Sequence, residues 1–400
     1  MSIPINDRTL KAIQQDLKNR YASIIIDGII HSESREQLRE VLLREHSLML
    51  DTDEKIEYVL QETVGLGMIE DIIKDPDVTD ITYNGTDLIV DTNQKKYKVS
   101  NDITEDYIVK IIQKFGAAVG KELTPKTPIL DAVLGNLRIN AMHKEIAPYG
   151  TTMALRAVRP RLALTEDNFK GFAPDYILEF LRAVIETQSN IVISGETGTG
   201  KTELQKLLIS MIPFEQKICL IEDVLESHVK DLFPEKDVHS WITGGGTSIS
   251  DLIKAGLRNN PRWIIISETR GEEAYEMIQA VLSGHHIITT LHAVNARAIP
   301  TRLVNMAKLG FPVDEVSFRT DINKYFDFGL HIKRETINGR VIRYLSEIVE
   351  FQESGEHLTV FKQRITREGM QSTIGKYSTE FSDKLEEIRS NYKGLPRSME

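Results

Sequence analysis

The chain has 400 residues, enough for two or three domains, and its 41% apolar content is that of an ordinary globular protein. Its 49 basic and 59 acidic residues leave a net charge of −10, which gives no electrostatic reason to expect a nucleic-acid partner. The single cysteine, Cys219, sits in the run Ile218-Cys219-Leu220-Ile221; it excludes an internal disulfide and reads as a buried small hydrophobe in a reducing compartment.

Residues 1–20 are polar and charged, so no secretory signal is expected. No apolar run reaches about 18 residues, so no membrane span is expected either. The expected location is the cytoplasm.

In chain order, residues 1–60 read as a helical extension. Leu10, Ile13, Leu17 and Tyr21 recur at helical spacing. Leu38, Val41, Leu42 and Leu48 mark a second helix; Ile56, Val59, Leu60 and Val64 mark a third. Residues 61–165 read as a small α+β domain. Strands are predicted at 79–83, 88–90, 96–99, 137–141 and 153–158, with Asn84-Gly85 as a hairpin signal. Thr104 is placed to cap a helix carrying Ile108, Ile111, Ile112 and Phe115 on one face. Pro160 and the polar stretch 165–168 suggest a linker.

From residue 166 to 352 strands and helices alternate. Helices are predicted at 176–185, 203–211 and 250–258, and apolar strands at 190–194, 217–221, 263–267 and 287–291. That alternation implies a largely parallel sheet covered on both faces, hence an α/β class. Two further strands, 328–333 and 341–351, flank Asn338-Gly339 and are expected to extend the sheet edge. Residues 353–400 read as a peripheral, charged tail.

One segment carries chemistry outright. Gly195-Glu196-Thr197-Gly198-Thr199-Gly200-Lys201-Thr202 fits G-x-x-x-x-G-K-[ST] at every fixed position, between a predicted strand and a predicted helix. Glycines let such a loop turn its amides inward to cradle phosphates at a helix N-terminus. Lys201 would reach the β- and γ-phosphates and the Thr202 hydroxyl would ligate Mg²⁺. The strand Trp263-Ile264-Ile265-Ile266 leads to Glu268, at the sheet edge where ligands of doubly wound folds bind. Glu268 is a candidate to hold the metal through water or to polarise the attacking water. Strand 217–221 ends at Glu222, which would also face the γ-phosphate if that strand neighboured the loop strand. Glu222 and Glu268 therefore compete for the water-positioning role. Gly244-Gly245-Gly246 reads as a plain connection, with a loop facing a ring pore as the alternative.

The order of these motifs resembles the type II/type IV secretion ATPases, most closely the CpaF/TadA branch. The resemblance rests on the phosphate loop, Ile221-Glu222-Asp223-Val224-Leu225-Glu226, Leu257-Arg258-Asn259-Asn260-Pro261, Ser267-Glu268-Thr269-Arg270, Ser283-Gly284-His285 and Thr289-Thr290-Leu291-His292-Ala293. Upstream it rests on Gly65-Leu66-Gly67-Met68-Ile69-Glu70, on residues 78–85, and on Arg138-Ile139-Asn140-Ala141 and Leu155-Arg156. It spans residues 62–351. Departures are Ser267 where the family has Gly, Arg262 where it has Asp, and a histidine box one residue short. The resemblance implies a RecA-like P-loop domain behind the α+β domain, a ring of six, ATP with Mg²⁺, and a polytopic inner-membrane platform as partner. It also implies that Arg138 and Arg156, with Arg159 a weaker candidate, reach the nucleotide, and that His292 senses its γ-phosphate side. It already explains two of His285, His286 and His292, and no cysteine or second acidic cluster stands at ligand spacing, so no histidine metal site is expected.

The expected function is a hexameric motor ATPase at the cytoplasmic membrane, powering pilus assembly, secretion or conjugation. Two alternatives are a DNA-translocating conjugation ATPase, which DNA-stimulated turnover would reveal, and a scaffold that binds nucleotide without turnover.

Overall fold

The computed structural model describes residues 4–28, 32–99, 103–158 and 160–396. Arg159 lies outside them. By its internal contacts the chain divides into two compact units, Met1–Arg159 and Pro160–Glu400.

The first unit opens with five helices: α1 (Asp7–Arg20), α2 (Ala22–Gly28), α3 (Ser32–Glu45), α4 (Asp53–Thr63) and α5 (Met68–Lys74). The helical spacing of Leu10, Ile13 and Leu17 buries them with Leu38, Leu42, Ile56, Val59 and Leu60 in a small core. Asn6 and Thr52 accept hydrogen bonds from the first turns of α1 and α4, satisfying amides that have no helical partner. Leu48 departs from its expected place. Helix α3 ends at Glu45, and Leu48 sits fully exposed in the turn that follows, so its apolar side chain marks no helix face.

An antiparallel sheet completes the unit. Its strands are β1 (Val78–Tyr83), β2 (Leu88–Thr92), β3 (Lys96–Lys98), then, after α6 (Glu105–Ala118), β4 (Ile129–Leu134), β5 (Leu137–Met142) and β6 (Thr152–Ala157). They lie in the order β3-β2-β1-β6-β5-β4. Tyr83 pairs with Leu88, so the Asn84-Gly85 turn spans residues 84–87, tied by the Asn84 Oδ1 accepting from the amides of Thr86 and Asp87. Thr104 caps α6 by accepting from the Tyr107 amide, and the predicted face of α6 packs on Ile81, Val90, Ile139 and Leu155.

The second unit alternates helices and strands. In order these are α7 (Asp175–Glu186), β7 (Ile191–Gly195), α8 (Lys201–Met211), β8 (Ile218–Glu222), α9 (Val229–Leu232), β9 (Val238–Ile242), α10 (Ile249–Leu257), β10 (Trp263–Ile266), α11 (Glu273–Leu282), β11 (His286–Leu291), α12 (Ile299–Ala307) and α13 (Glu315–Tyr325). Then come β12 (Phe328–Ile337), β13 (Arg340–Glu350), β14 (Leu358–Thr366), β15 (Gly369–Ile374) and α14 (Thr379–Glu387). The nine strands run β15-β14-β13-β12-β7-β11-β10-β8-β9. From β12 to β9 every pairing is parallel.

Both faces of the parallel part are covered, which is why its strands read as continuous apolar runs. Ile191, Ile193, Ile218 and Leu220 face α7 and α8. Val192, Cys219 and Ile221 face α10 to α13. Burial pushes the Cys219 thiol up to about 12.

Two expectations are corrected at the far side of the sheet. The β12–β13 hairpin is not the edge, because β14 and β15 continue the sheet beyond it. The expected tail is therefore built into the unit: Val360 and Phe361 are fully buried, and Phe381 of α14 meets the rings of Phe180 and Phe328. Polar ties add to this. Lys384 pairs with Asp327 at 2.6 Å, and the Ser378 amide donates to Glu350. Outward-facing charges in β14 hide its inward apolar positions from a composition count. Among the described residues no helix is long and apolar enough to cross a membrane.

Candidate active site

The site grows from the end of β7. Every residue of that strand is buried, and it stops at Gly195, where the chain must leave the sheet. A Cβ on Gly195 would stand 2.7 Å from the Ile332 carbonyl oxygen and 2.7 Å from Thr199 Oγ1, so only glycine fits the turn. At the other end Gly200 takes φ +97 and delivers the chain into α8, whose first residues are Lys201 and Thr202. Between them Thr199 is buried and its hydroxyl donates to the Glu196 carbonyl at 2.9 Å. Glu196, Thr197 and Gly198 are exposed. The result is a loop closed at its base and open at its mouth, in front of a helix N-terminus.

Lys201 lies folded along this loop. Its Nζ donates to the carbonyls of Gly195 and Glu196, each at 3.1 Å, and stands 3.3 Å from His292 Nδ1. Burial lowers its pKa, and the charge of Glu268 opposes that shift. Such a lysine is held near its own loop by weak carbonyl contacts and gains by exchanging them for phosphate oxygens.

The strand order explains what stands beside it. Between β7 and β10 lies β11, so the residue after β11, His292, is set between the loop and Glu268. His292 Nδ1 is 3.0 Å from the Gly195 carbonyl and its Nε2 is 2.9 Å from Glu268 Oε1. That second approach is out of line for a hydrogen bond, and Oε1 stays buried without a hydrogen-bond partner among the described residues. The other oxygen, Oε2, accepts from Arg270 at 2.7 Å; Arg270 also donates to Asp223 at 3.2 Å. Burial alone would raise the Glu268 pKa, but Arg270, then His292 and Lys201, outweigh it and hold the carboxyl below its usual range. Gln205, fully buried on α8, donates to the Ile266 and Ile288 carbonyls and so fixes α8 against β10 and β11.

Lys201, His292 and Glu268 thus converge, and Thr202 follows on the first turn of α8. Glu222 does not join them. Its strand, β8, is separated from β7 by β10 and β11, so the condition for its facing the γ-phosphate is unmet. It is fully buried, its Oε1 accepts from the Ser227 and Glu226 amides, and its Oε2 accepts from the Ser227 hydroxyl. Burial raises its pKa. Glu222 folds the loop that carries Asp223 back over the strand end, where Asp223 meets Arg270.

Arg138 and Arg156 belong to the first unit. They stand directly opposite each other on β5 and β6, hence on one face of that sheet. Arg156 pairs with Asp80 at 2.9 Å and Arg138 approaches Asp131 at 3.7 Å. His286 packs on the ring of Trp263, and burial drives its pKa down to about 4, which keeps it neutral. Among the described residues no three His, Cys, Asp or Glu side chains gather to hold a metal ion.

Sequence reasoning gave Arg270 no role of its own, although it lay two residues past Glu268. It also missed Arg343, whose Nε donates to the Gly198 carbonyl at 2.9 Å from β13. The available signal for Arg343 was the Asn338-Gly339 hairpin, which, once paired with β7, must run beside the loop.

A parallel sheet with a phosphate-type loop after one strand and an acid beyond a strand two places away is the RecA-like α/β architecture. Comparison agrees. Residues 63–320 match the family model described as type II/IV secretion system protein. An uncharacterized protein of Bacillus anthracis is 51% identical over 98% of this chain and 93% of its own length. The type IV secretion system protein VirB11 of Brucella suis is 27% identical over 58% of this chain and 74% of its own. The crystal structure of the pilus retraction motor PilT with bound ADP shares the fold, with a TM-score of 0.51 at 19% identity over 81% of this chain and 88% of that one. The chain belongs to the type II/type IV secretion system ATPase family.

Proposed function

We propose that this protein is a Mg²⁺-dependent motor ATPase of the CpaF/TadA branch. It would work as a homohexamer in the cytoplasm, docked on a polytopic inner-membrane platform of a pilus, secretion or conjugation machine. The observation that carries the reading is the meeting of Lys201, His292 and Glu268 at the mouth of the Gly195–Gly200 loop. A solved structure of the same fold, the pilus retraction motor with bound ADP, supports an adenine nucleotide as the ligand.

The residues fit the substrate. The loop is open where a triphosphate would lie, and Lys201 exchanges carbonyl contacts for phosphate oxygens. The Thr202 hydroxyl and, through water, Glu268 would hold magnesium, which supplies positive charge to the phosphate oxygens. Oε1 of Glu268, 2.9 Å from His292 Nε2 and without a hydrogen-bond partner among the described residues, is the proposed acceptor that orients the attacking water. Phosphoryl transfer needs little more than an aligned nucleophile and cations on the departing charge. His292, touching both loop and acid, links the two. Arg138 and Arg156 are proposed to add guanidinium charge in the transition state, so that closure of their unit on the nucleotide couples hydrolysis to movement.

Turnover by the purified full chain with Mg²⁺ and ATP tests this reading. Lys201→Ala is expected to lose nucleotide retention. Arg138→Ala and Arg156→Ala are expected to keep retention and slow hydrolysis. A wild-type chain that binds no nucleotide sinks the motor reading, and normal rates in both arginine variants sink their assignment.

A further inference from the structure

The β12–β13 hairpin overshoots the sheet beside the phosphate loop. Strand β7 stops at Gly195, whose partner on β12 is Ile332, yet β12 runs on to Ile337. Residues 333–337 carry the ribbon roughly 17 Å past the end of β7. Asn338 and Gly339, with φ of 50 and 76, close it in the turn that suits a two-residue hairpin. Because β12 flanks β7 on one side and β11 and β10 lie on the other, the ribbon borders the loop on the flank away from Glu268 and His292.

On this overshoot Arg334 stands directly opposite Arg343, so both side chains leave the same face. That face meets the loop. Arg343 Nε donates to the Gly198 carbonyl, and Arg334 Nη1 lies 3.6 Å from where a Cβ on Gly198 would stand. Arg343 Cδ lies 3.8 Å from the equivalent point on Gly200. The acid of the ribbon, Glu335, alternates to the opposite face, where it accepts from the Tyr344 hydroxyl. Among the described residues no carboxylate pairs with Arg334. Like charges opposite each other in a sheet repel. Burial first, and Arg334 second, push the Arg343 guanidinium below the usual arginine value. An anion of high charge lying in the loop would relieve both effects, and guanidinium matches phosphate oxygens in pairs.

We propose that Arg334 and Arg343 bind the phosphates of the nucleotide held by the Gly195–Gly200 loop, forming a second cationic wall of the site. This rests on the P-loop reading above. The hairpin is then part of the binding machinery, and two charges distant in sequence from the loop set much of its affinity.

The test is equilibrium binding of a fluorescent ATP analogue with Mg²⁺ to the full chain over a range of salt concentrations. The R334Q/R343Q double variant is expected to bind at least 10-fold more weakly than wild type, with a shallower loss of affinity as salt rises. R334K/R343K, which keeps the charge, is expected to recover most of both. A double glutamine variant that binds like wild type overturns the proposal. So does a double lysine variant whose salt dependence is as shallow as that of the glutamine one, which would make the arginines a mechanical brace. Lys201→Ala, run alongside, separates the two claims: if it retains nucleotide, the P-loop reading fails whatever the hairpin does.

Discussion

Replacing Glu268 by glutamine separates chemistry from folding. The two side chains have the same size, and the amide oxygen can still accept from Arg270. Arg270 is 59% exposed, so losing the charge on its partner costs the fold only about 0–1 kcal/mol. The catalytic loss is larger. A positioned carboxylate acting on a reacting water is worth roughly 10²–10⁴ in rate. Held below its usual pKa by Arg270, His292 and Lys201, Glu268 would be a weak proton acceptor, so in the proposed site its worth lies in orienting water and balancing charge. That places the expected loss near the lower end, about 100-fold in kcat, or about 3 kcal/mol of barrier. Phosphate release should fall by that factor while nucleotide binding and the thermal midpoint stay close to wild type. The pH dependence has a definite sign. A depressed carboxyl is ionised above its folded pKa, so its contribution is complete at neutral pH and is lost only on acidification below the ordinary value of 4.5. A variant within threefold of wild-type kcat refutes the reasoning. So does a fall in rate near pH 6 that disappears in Glu268→Gln.

Gly195→Ala should abolish nucleotide retention in a filter-binding assay, because the added methyl would meet the Ile332 carbonyl at 2.7 Å and the loop must shift; retention at wild-type affinity would show that the loop has slack. Lys384→Met should lower stability to denaturant by about 2–3 kcal/mol, towards the low end for a buried pair because Lys384 is 38% exposed. Burial already raises the Asp327 pKa, so the deficit should shrink as pH falls and Asp327 takes up a proton; a deficit constant with pH argues against it. Cys219, with its thiol raised to about 12, should react with a thiol reagent at neutral pH only on unfolding. Rapid labelling of the native chain would contradict its burial.

What could be read from the sequence follows a physical division. Strands buried on both faces announce themselves as apolar runs, so β7, β8, β10 and β11 were legible, as was the loop with its fixed glycines. Strand β4 was not, because Ile129 and Val133 are exposed while Leu130 and Ala132 point inward, which erases the alternation. Strand β9 carries His239 and Ser240 and looks like a connection. Glu222 and Glu268 looked equivalent because both follow apolar strands; only the strand order tells them apart. Arg334 and Arg343 could not be placed by any local pattern, since it is the parallel pairing of β12 with β7 that brings them to the loop.

The two strands beyond β13 matter for anyone who shortens this chain. Cutting it after residue 352 would leave residues 347–350 of β13 without the strand they pair with and bare the greasy side chains that Val360, Phe361 and Phe381 shield. An unprotected strand rim beside bared apolar side chains invites the same strand of another molecule. A fragment trimmed to the motif-bearing segment should therefore clump in solution, and its loss of ATP turnover would report on that stickiness rather than on the phosphate loop.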